Sequence, residues 1–184
     1  MRAGDTLENP VTGERIVFRK TAADTGGELL QLDVFFRPGG FVAAAHVHPK
    51  QAERFEVVSG RPWFRVGREE GRASPGDVIV VPPGVPHTWR NDTEEETHVL
   101  VDFRPALRTE TFFETLIGLA CAGKLSRRGW PNPLRAAVLA QAYRDEVVGA
   151  WPPLLVQWMV CALLAPIGRL LGYRALPPPA ADRA

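Results

Sequence analysis

Cysteine is nearly absent: Cys121 and Cys161 are the only two among 184 residues. A secreted chain of this size tends to use more, at framework spacings. Both are therefore expected as small buried hydrophobes on apolar helices, in a reducing compartment. No sign of charge dominates, with 22 Lys and Arg against 21 Asp and Glu. The basic residues are scattered and do not cluster with aromatics, which argues against DNA, RNA or another polyanion as partner. The stretch from Met1 to Phe18 has no apolar run after a basic region. No signal peptide is expected, and the expected location is cytoplasmic. Internal repeats are also lacking.

What is present divides in two near residue 105. Before it lie short candidate strands separated by Gly and Pro: Arg15–Arg19, Glu28–Phe36, Phe41–His48, Arg54–Val58, Pro62–Val66, Asp77–Val81, Pro86–Arg90 and Thr97–Phe103. Leu30, Leu32, Val34 and Phe36 alternate, so they share one face of a strand. Closely spaced strands with turn residues between them predict an all-β sandwich or barrel. Strands alternating with long helices would have pointed to a parallel sheet.

After Arg104-Pro105 the pattern is helical. Thr111-Phe-Phe-Glu114 reads as a capping box opening a first helix that Gly123 stops. Asn132-Pro133 offers an N-cap and a first-turn proline for a second helix, with Leu134, Val138 and Ala142 on its apolar face. A third helix is expected from about Pro153 to Ala165, and Pro166 to Leu171 as a short fourth. From Val147 to Gly168 there is no charged residue. Pro152, Pro153 and Pro166 nevertheless leave only about a dozen clean helical residues, roughly 18 Å at the standard rise. The hydrocarbon core is roughly 30 Å thick, so a membrane span is not expected. An all-apolar helix is otherwise buried, here on the outer sheet, on a partner's sheet in a dimer, or over the mouth of the β-domain. The expected domains are residues 1–104, a helical extension over 105–176, and a disordered Pro-rich tail over 177–184.

The chemistry concentrates in two segments. His46 and His48 are two apart, so on a strand both imidazoles point to one face. Glu53 follows the turn at His48-Pro49 and opens the returning strand. His87 emerges just after the turn at Pro82-Pro83-Gly84. Three imidazoles and a carboxylate form a mixed nitrogen–oxygen set that suits Fe, Mn, Ni, Zn, Co or Cu better than Ca or Mg. Four protein ligands leave up to two positions open, as a catalytic metal requires.

These segments resemble the two motifs of the cupin superfamily. Gly40, His46, His48, Glu53 and Gly60 fill the first motif, and Gly76, Pro82, Gly84, His87 and Asn91 fill the second. The resemblance covers Gly40 to Asn91 directly and implies a mainly β fold over about residues 10–104. That fold is a double-stranded β-helix, a small jelly-roll barrel, followed here by the α-helical extension. The resemblance also implies that His46, His48, Glu53 and His87 hold one divalent transition metal, that Gly60, Gly76 and Gly84 serve turns, and that Asn91 serves a loop.

Phe55, Val57, Phe64 and Trp89 share the inward parity of the ligand strands. They are expected either as core or as the wall of an apolar pocket beside the metal. His98 has no slot in the motifs and is expected to pack or lie at the surface. Arg54, Glu56 and Arg65 should point outward. The leading functional reading is a metal-dependent, dioxygenase-like or related enzyme whose small organic substrate chelates the metal. The alternative is a non-catalytic binding or sensing protein whose helices mediate dimerisation or a partner contact. A homodimer is expected, and residues 151–171 offer a peripheral membrane contact with Trp151 and Trp158 as anchors.

Overall fold

The computed structural model describes residues 1–175; the expected Pro-rich tail over 177–184 lies outside the described residues. The chain runs β1 (Thr6–Asn9), β2 (Glu14–Lys20), β3 (Leu30–Phe36), β4 (His46–Val47), β5 (Ala52–Ser59) and β6 (Trp63–Val66). It continues with β7 (Glu69–Arg72), β8 (Val78–Val81), β9 (His87–Arg90), β10 (Thr97–Arg104), α1 (Thr109–Cys121), α2 (Pro133–Ala142), β11 (Val148–Gly149) and α3 (Leu154–Leu170). Six strands form one sheet in the order β1-β2-β3-β10-β5-β8, and five form the other in the order β11-β4-β9-β6-β7. This is a jelly-roll-like pair of antiparallel sheets, and among the described residues no strand closes them into a barrel.

Alternation builds the core. Leu30, Leu32, Val34 and Phe36 of β3 turn inward, as do Ile16 and Phe18 of β2, Phe55 and Val57 of β5, and Val99, Val101 and Phe103 of β10. Each such side chain contributes about 1.5–3 kcal/mol on full burial. Gly60, Gly76 and Gly84 sit at φ of 82°, 92° and 83°, so the three motif glycines do occupy turns that favour them. Asn91 ties its loop together, donating to the carbonyls of Phe36 and Glu95 and accepting from Thr93.

Several expectations need correction. The stretch 41–48 is not one strand: only His46–Val47 pairs, with an isolated bridge at Phe41, and the intervening residues line a cavity instead. β1, β7 and β11 carried no readable pattern, since β7 is exposed throughout and β11 is two residues long. Helix α1 begins at Thr109, two residues before the expected capping box, and its N-cap Arg108 gives no side-chain cap. Gln51 determines that start, because its buried Nε2 donates to Pro105 O, Ala106 O and Thr109 Oγ1. At α2 the expected cap is present: Asn132 Oδ1 accepts from Arg135 N.

Helix α3 runs unbroken through Pro166, where a break was expected. Ala165 and Gly168, on either side of the proline, pack on α2 and hold the two halves in line. A Cβ at Gly168 would meet Leu134 O and Val138 Cγ2, each at 2.8 Å, so only glycine permits this approach. The remaining surface of α3 is not buried: Leu155 is 67% exposed, Leu163 72% and Leu170 88%. Among the described residues no helix is long and apolar enough to cross a membrane. The cysteines are not core thiols either. Cys121, at the end of α1, is exposed, and Cys161 on α3 is half-buried.

Candidate metal centre

Strand β4 carries His46 opposite His87 of β9. His48 follows at the same parity, and Glu53 opens β5 on the facing sheet. One ligand atom from each of these four residues lies within 4.8 Å of all the others. Three of the four residues are buried and His46 is partly so.

The outer nitrogens explain this convergence. His46 Nδ1 meets Ala44 O at 3.1 Å, His48 Nδ1 meets Glu146 O at 2.5 Å, and His87 Nδ1 meets Val85 O at 3.2 Å. A carbonyl only accepts, so each ring carries its proton on Nδ1 and keeps a lone pair on Nε2. Second partners of this kind fix the tautomer and orientation of metal-binding histidines. On the inner side, Glu53 Oε2 lies 3.2 Å from His48 Nε2 and 2.6 Å from His87 Nε2. These are ion-pair distances without hydrogen-bond alignment: His48 Nε2, His87 Nε2 and Glu53 Oε2 are buried with no hydrogen-bond partner. Orphaned buried atoms of this kind are costly. A cation at their centre would satisfy all of them, and the donor set fits a divalent transition metal.

Titration follows the same geometry. Burial pushes His46 down to about 3, and His87 and His48 add to that shift. Burial also opposes charge on His48, but the Glu53 carboxylate outweighs it and the net shift is upward. Burial alone would raise Glu53, yet the two imidazoles hold it well below the usual carboxylate range.

The cluster opens onto a cavity of about 630 Å³, lined by His46, His48, Glu53 and Trp89 and walled by Leu32, Val34 and Phe103. That volume suits a small organic ligand. Of the four expected pocket residues, Trp89 lines the cavity. Phe55, Val57 and Phe64 lie in the core behind it, where Trp89 stacks on Phe64 at 5.4 Å and meets Phe55 edge-on at 5.7 Å. His98 lies away from the site, bonded to Asp33 at 2.7 Å and stacked on Phe35.

Two features went unread in the sequence. Glu14 lines the same cavity, and burial pushes it up to about 7, with the charge of Glu53 adding to the shift and Thr12 opposing it. Its parity with Ile16 and Phe18 was the available signal, and starting β2 one residue earlier would have exposed it. The second feature is the helical extension. Strand β11 pairs Val148 with Val47 and Gly149 with His46, and Glu146 supplies the carbonyl that holds His48. No local pattern announces either contact. Gln157 and Trp158 of α3 contribute to the cavity wall.

Residues 32–103 match the family profile described as the cupin domain. No protein of curated function matches the chain significantly. Among solved structures, KdgF from Halomonas sp. is 24% identical over 55% of this chain and 86% of that one, with a TM-score of 0.48. An oxalate decarboxylase predicted from Thermotoga maritima is 17% identical over 55% of this chain and 90% of that one, with a TM-score of 0.50. A cupin-superfamily sugar phosphate isomerase from Silicibacter pomeroyi is 25% identical over 52% and 62%, with a TM-score of 0.45. The Thermotoga likeness shows a shared fold.

Proposed function

Because residues 32–103 match the cupin-domain profile, we propose that this chain is a divalent-metal-dependent enzyme with oxygenase-like chemistry, acting on a small organic molecule. One observation carries the reading: three imidazole nitrogens and a carboxylate oxygen converge within 4.8 Å of one another beside a ligand-sized cavity. His46, His48, Glu53 and His87 would hold an Fe, Mn, Ni, Zn, Co or Cu ion. Such an ion supplies Lewis-acid activation and a template for an oxygen-bearing substrate at its open positions. The chain's own residues do the rest. The Nδ1–carbonyl contacts hold the rings in register, and Trp89 and Phe103 help exclude water. Glu14, held near neutrality, supplies a carboxyl suited to moving a proton.

Fold alone selects no reaction. Elemental analysis of protein purified without a His-tag should find about one transition-metal ion per chain. Oxygen uptake by the Fe(II)-loaded protein, across a panel of small organic acids and phenols, tests the reaction class. A chain that stays empty after incubation with each metal would end the reading. Bound iron without uptake removes the oxygenase part alone.

A second reading has its own support, the apolar outer face of α3 that nothing in the described chain covers. It is a non-catalytic binding or sensing protein whose helices form a homodimer, with peripheral membrane contact through 151–171 as the competing use of that face. Ligand-dependent protease protection over 105–172 without turnover supports it, and unchanged digestion with ligand bound removes that support.

A further inference from the structure

Away from the four ligands, the cavity has a second set of incompletely partnered polar groups. Asn9 and Glu14 are directly opposed across the β1–β2 pair, a placement that sets their Cβ atoms about 4.5–5.5 Å apart. Thr12 lies in the turn that joins them, and all three residues line the cavity. Asn9 is 3% exposed and Thr12 6%, yet Asn9 Nδ2 has no hydrogen-bond partner and Thr12 Oγ1 lies near the Glu14 carboxyl without a well-formed bond. The other end of the Asn9 side chain is occupied, since its Oδ1 accepts from Val11 N and Thr12 N and shapes the turn. A Cβ at Gly129 would come within 2.8 Å of Ala43 and 3.4 Å of Thr12, so the α1–α2 connection presses closely on this end.

We propose that Asn9, Thr12 and Glu14 form a subsite for a neutral hydroxyl on a ligand whose opposite end is an oxygen chelator at the His46–His48–Glu53–His87 cluster. The occupant is then a molecule with two oxygenated ends and an apolar middle that lies against Leu32, Val34 and Phe103. The inference rests on the metal reading above. Each alternative group fails on a donor or a charge. An ammonium has no lone pair to satisfy Asn9 Nδ2. A carboxylate or phosphate would sit beside Glu14, and the cavity's arginines, Arg144 and Arg169, are exposed on the extension. A methyl would leave Asn9 Nδ2 unpaired. A hydroxyl accepts from Asn9 and donates to Glu14 or Thr12.

The test uses the zinc-loaded full chain and calorimetry. Its probes are straight-chain carboxylates of roughly four to ten carbons, lengths that a cavity of this class can hold. Each length is supplied in unsubstituted, ω-hydroxy and ω-amino form. At one length the ω-hydroxy acid should bind about tenfold tighter than its unsubstituted counterpart, the effect of one buried hydrogen bond, and the ω-amino acid no tighter. Asn9→Asp keeps the Oδ1 acceptor of the turn but loses the donor, and Thr12→Val keeps the shape. Each should lower that preference while leaving zinc stoichiometry and unsubstituted-acid affinity unchanged. Zinc-loaded wild type with no hydroxyl preference at any length overturns the subsite and leaves the metal reading intact. A preference that survives unreduced in both variants, a preference for the amine, or failure to bind any of the acids also overturns it. Failure to bind zinc at all removes the subsite together with the reading beneath it.

Discussion

The two sheets and helix α3 treat apolar side chains in opposite ways. Phe36 and Val99 are fully buried and Phe55 is 1% exposed, whereas Leu163 of α3 is 72% exposed and Leu170 88%. The sheets expose large apolar groups mainly at Val58, Val78 and Val80, which lie on the edge strand β8 and its neighbour β5. The β-domain therefore completes its own core, and α3 does not complete one. A contiguous apolar face on a folded chain marks an interaction surface. Yet the extension is not a loose appendage. Its inner side supplies the carbonyl for His48 and a strand beside His46, while Arg108 holds the buried Glu146 carboxylate at 3.2 Å. One face serves the site, and the other is left exposed among the described residues.

The largest expected effect lies at the centre of the β-domain. Glu53→Ala should weaken binding of zinc or cobalt by at least about 100-fold, the upper end of what losing only an outer partner costs. Titration calorimetry measures it, and wild-type affinity in the variant would show that the cluster does not act as a ligand set. Next comes the contrast in packing. Phe55→Ala should cost about 3–5 kcal/mol in urea unfolding, because it opens a cavity in the core. Leu163→Ser on α3 should stay within about 0.5 kcal/mol in dilute protein. If the Leu163→Ser deficit grows with protein concentration, a second copy covers α3. A large deficit at every dilution would break the comparison between the two regions.

Acid should act on the metal-free site through two groups in the same direction. His46 titrates at about 3 when folded, against roughly 6.5 when unfolded, so the unfolded chain takes up its proton first. Stability should fall as pH drops from about 6.5 towards 3. Glu53, depressed by its imidazoles, adds stability above its unfolded value of roughly 4.3 and loses it as pH falls through its lower folded value. His48 works in reverse, since its raised value gives stability below about 6.5 that is lost as pH rises through the folded value. Urea midpoints of the metal-free protein across pH should therefore decline on the acid side. The decline should be shallower in His46→Gln, and an equal slope in that variant would remove His46 as the cause.

The parts legible in the sequence were those in which one period governs one face. His46 and His48 share parity, β3 alternates cleanly, and two hairpins close on gapped motifs, so both the convergence of the four residues and the sheets could be read. Glu14 was missed because the strand was begun at Arg15, which hid a carboxylate at an inward position. The exposed strand β7 has no buried side to impose a pattern, and β11 exists only because residues 46 and 47 offer an edge to pair with. The capping box at Thr111 was a local signal overridden by Gln51, whose three long-range bonds choose where α1 begins. The exposure of α3 ran against the rule that an all-apolar helix is buried, because only its Ala165 and Gly168 side packs on α2.

A further small effect concerns the fourth histidine. His98 lies on β10, the strand that also carries Val99 and Val101 into the core, but at the opposite parity. Its ring stacks on Phe35 at 4.2 Å with Arg15 on the same phenyl, and Nε2 meets Asp33, which Arg19 also contacts at 2.7 Å. This is a partly exposed cluster on the outer face of the sheet, where a single pair is worth about 0–1 kcal/mol. His98→Gln should therefore change unfolding stability by less than about 1 kcal/mol and leave metal stoichiometry untouched. Its contrast with Glu53→Ala isolates the parity argument, since only the imidazoles that their strands turn inward join the cluster that could hold a metal. Loss of metal on replacing His98 would mean that the outer face communicates with the site through β10, and the inward set alone would no longer account for binding.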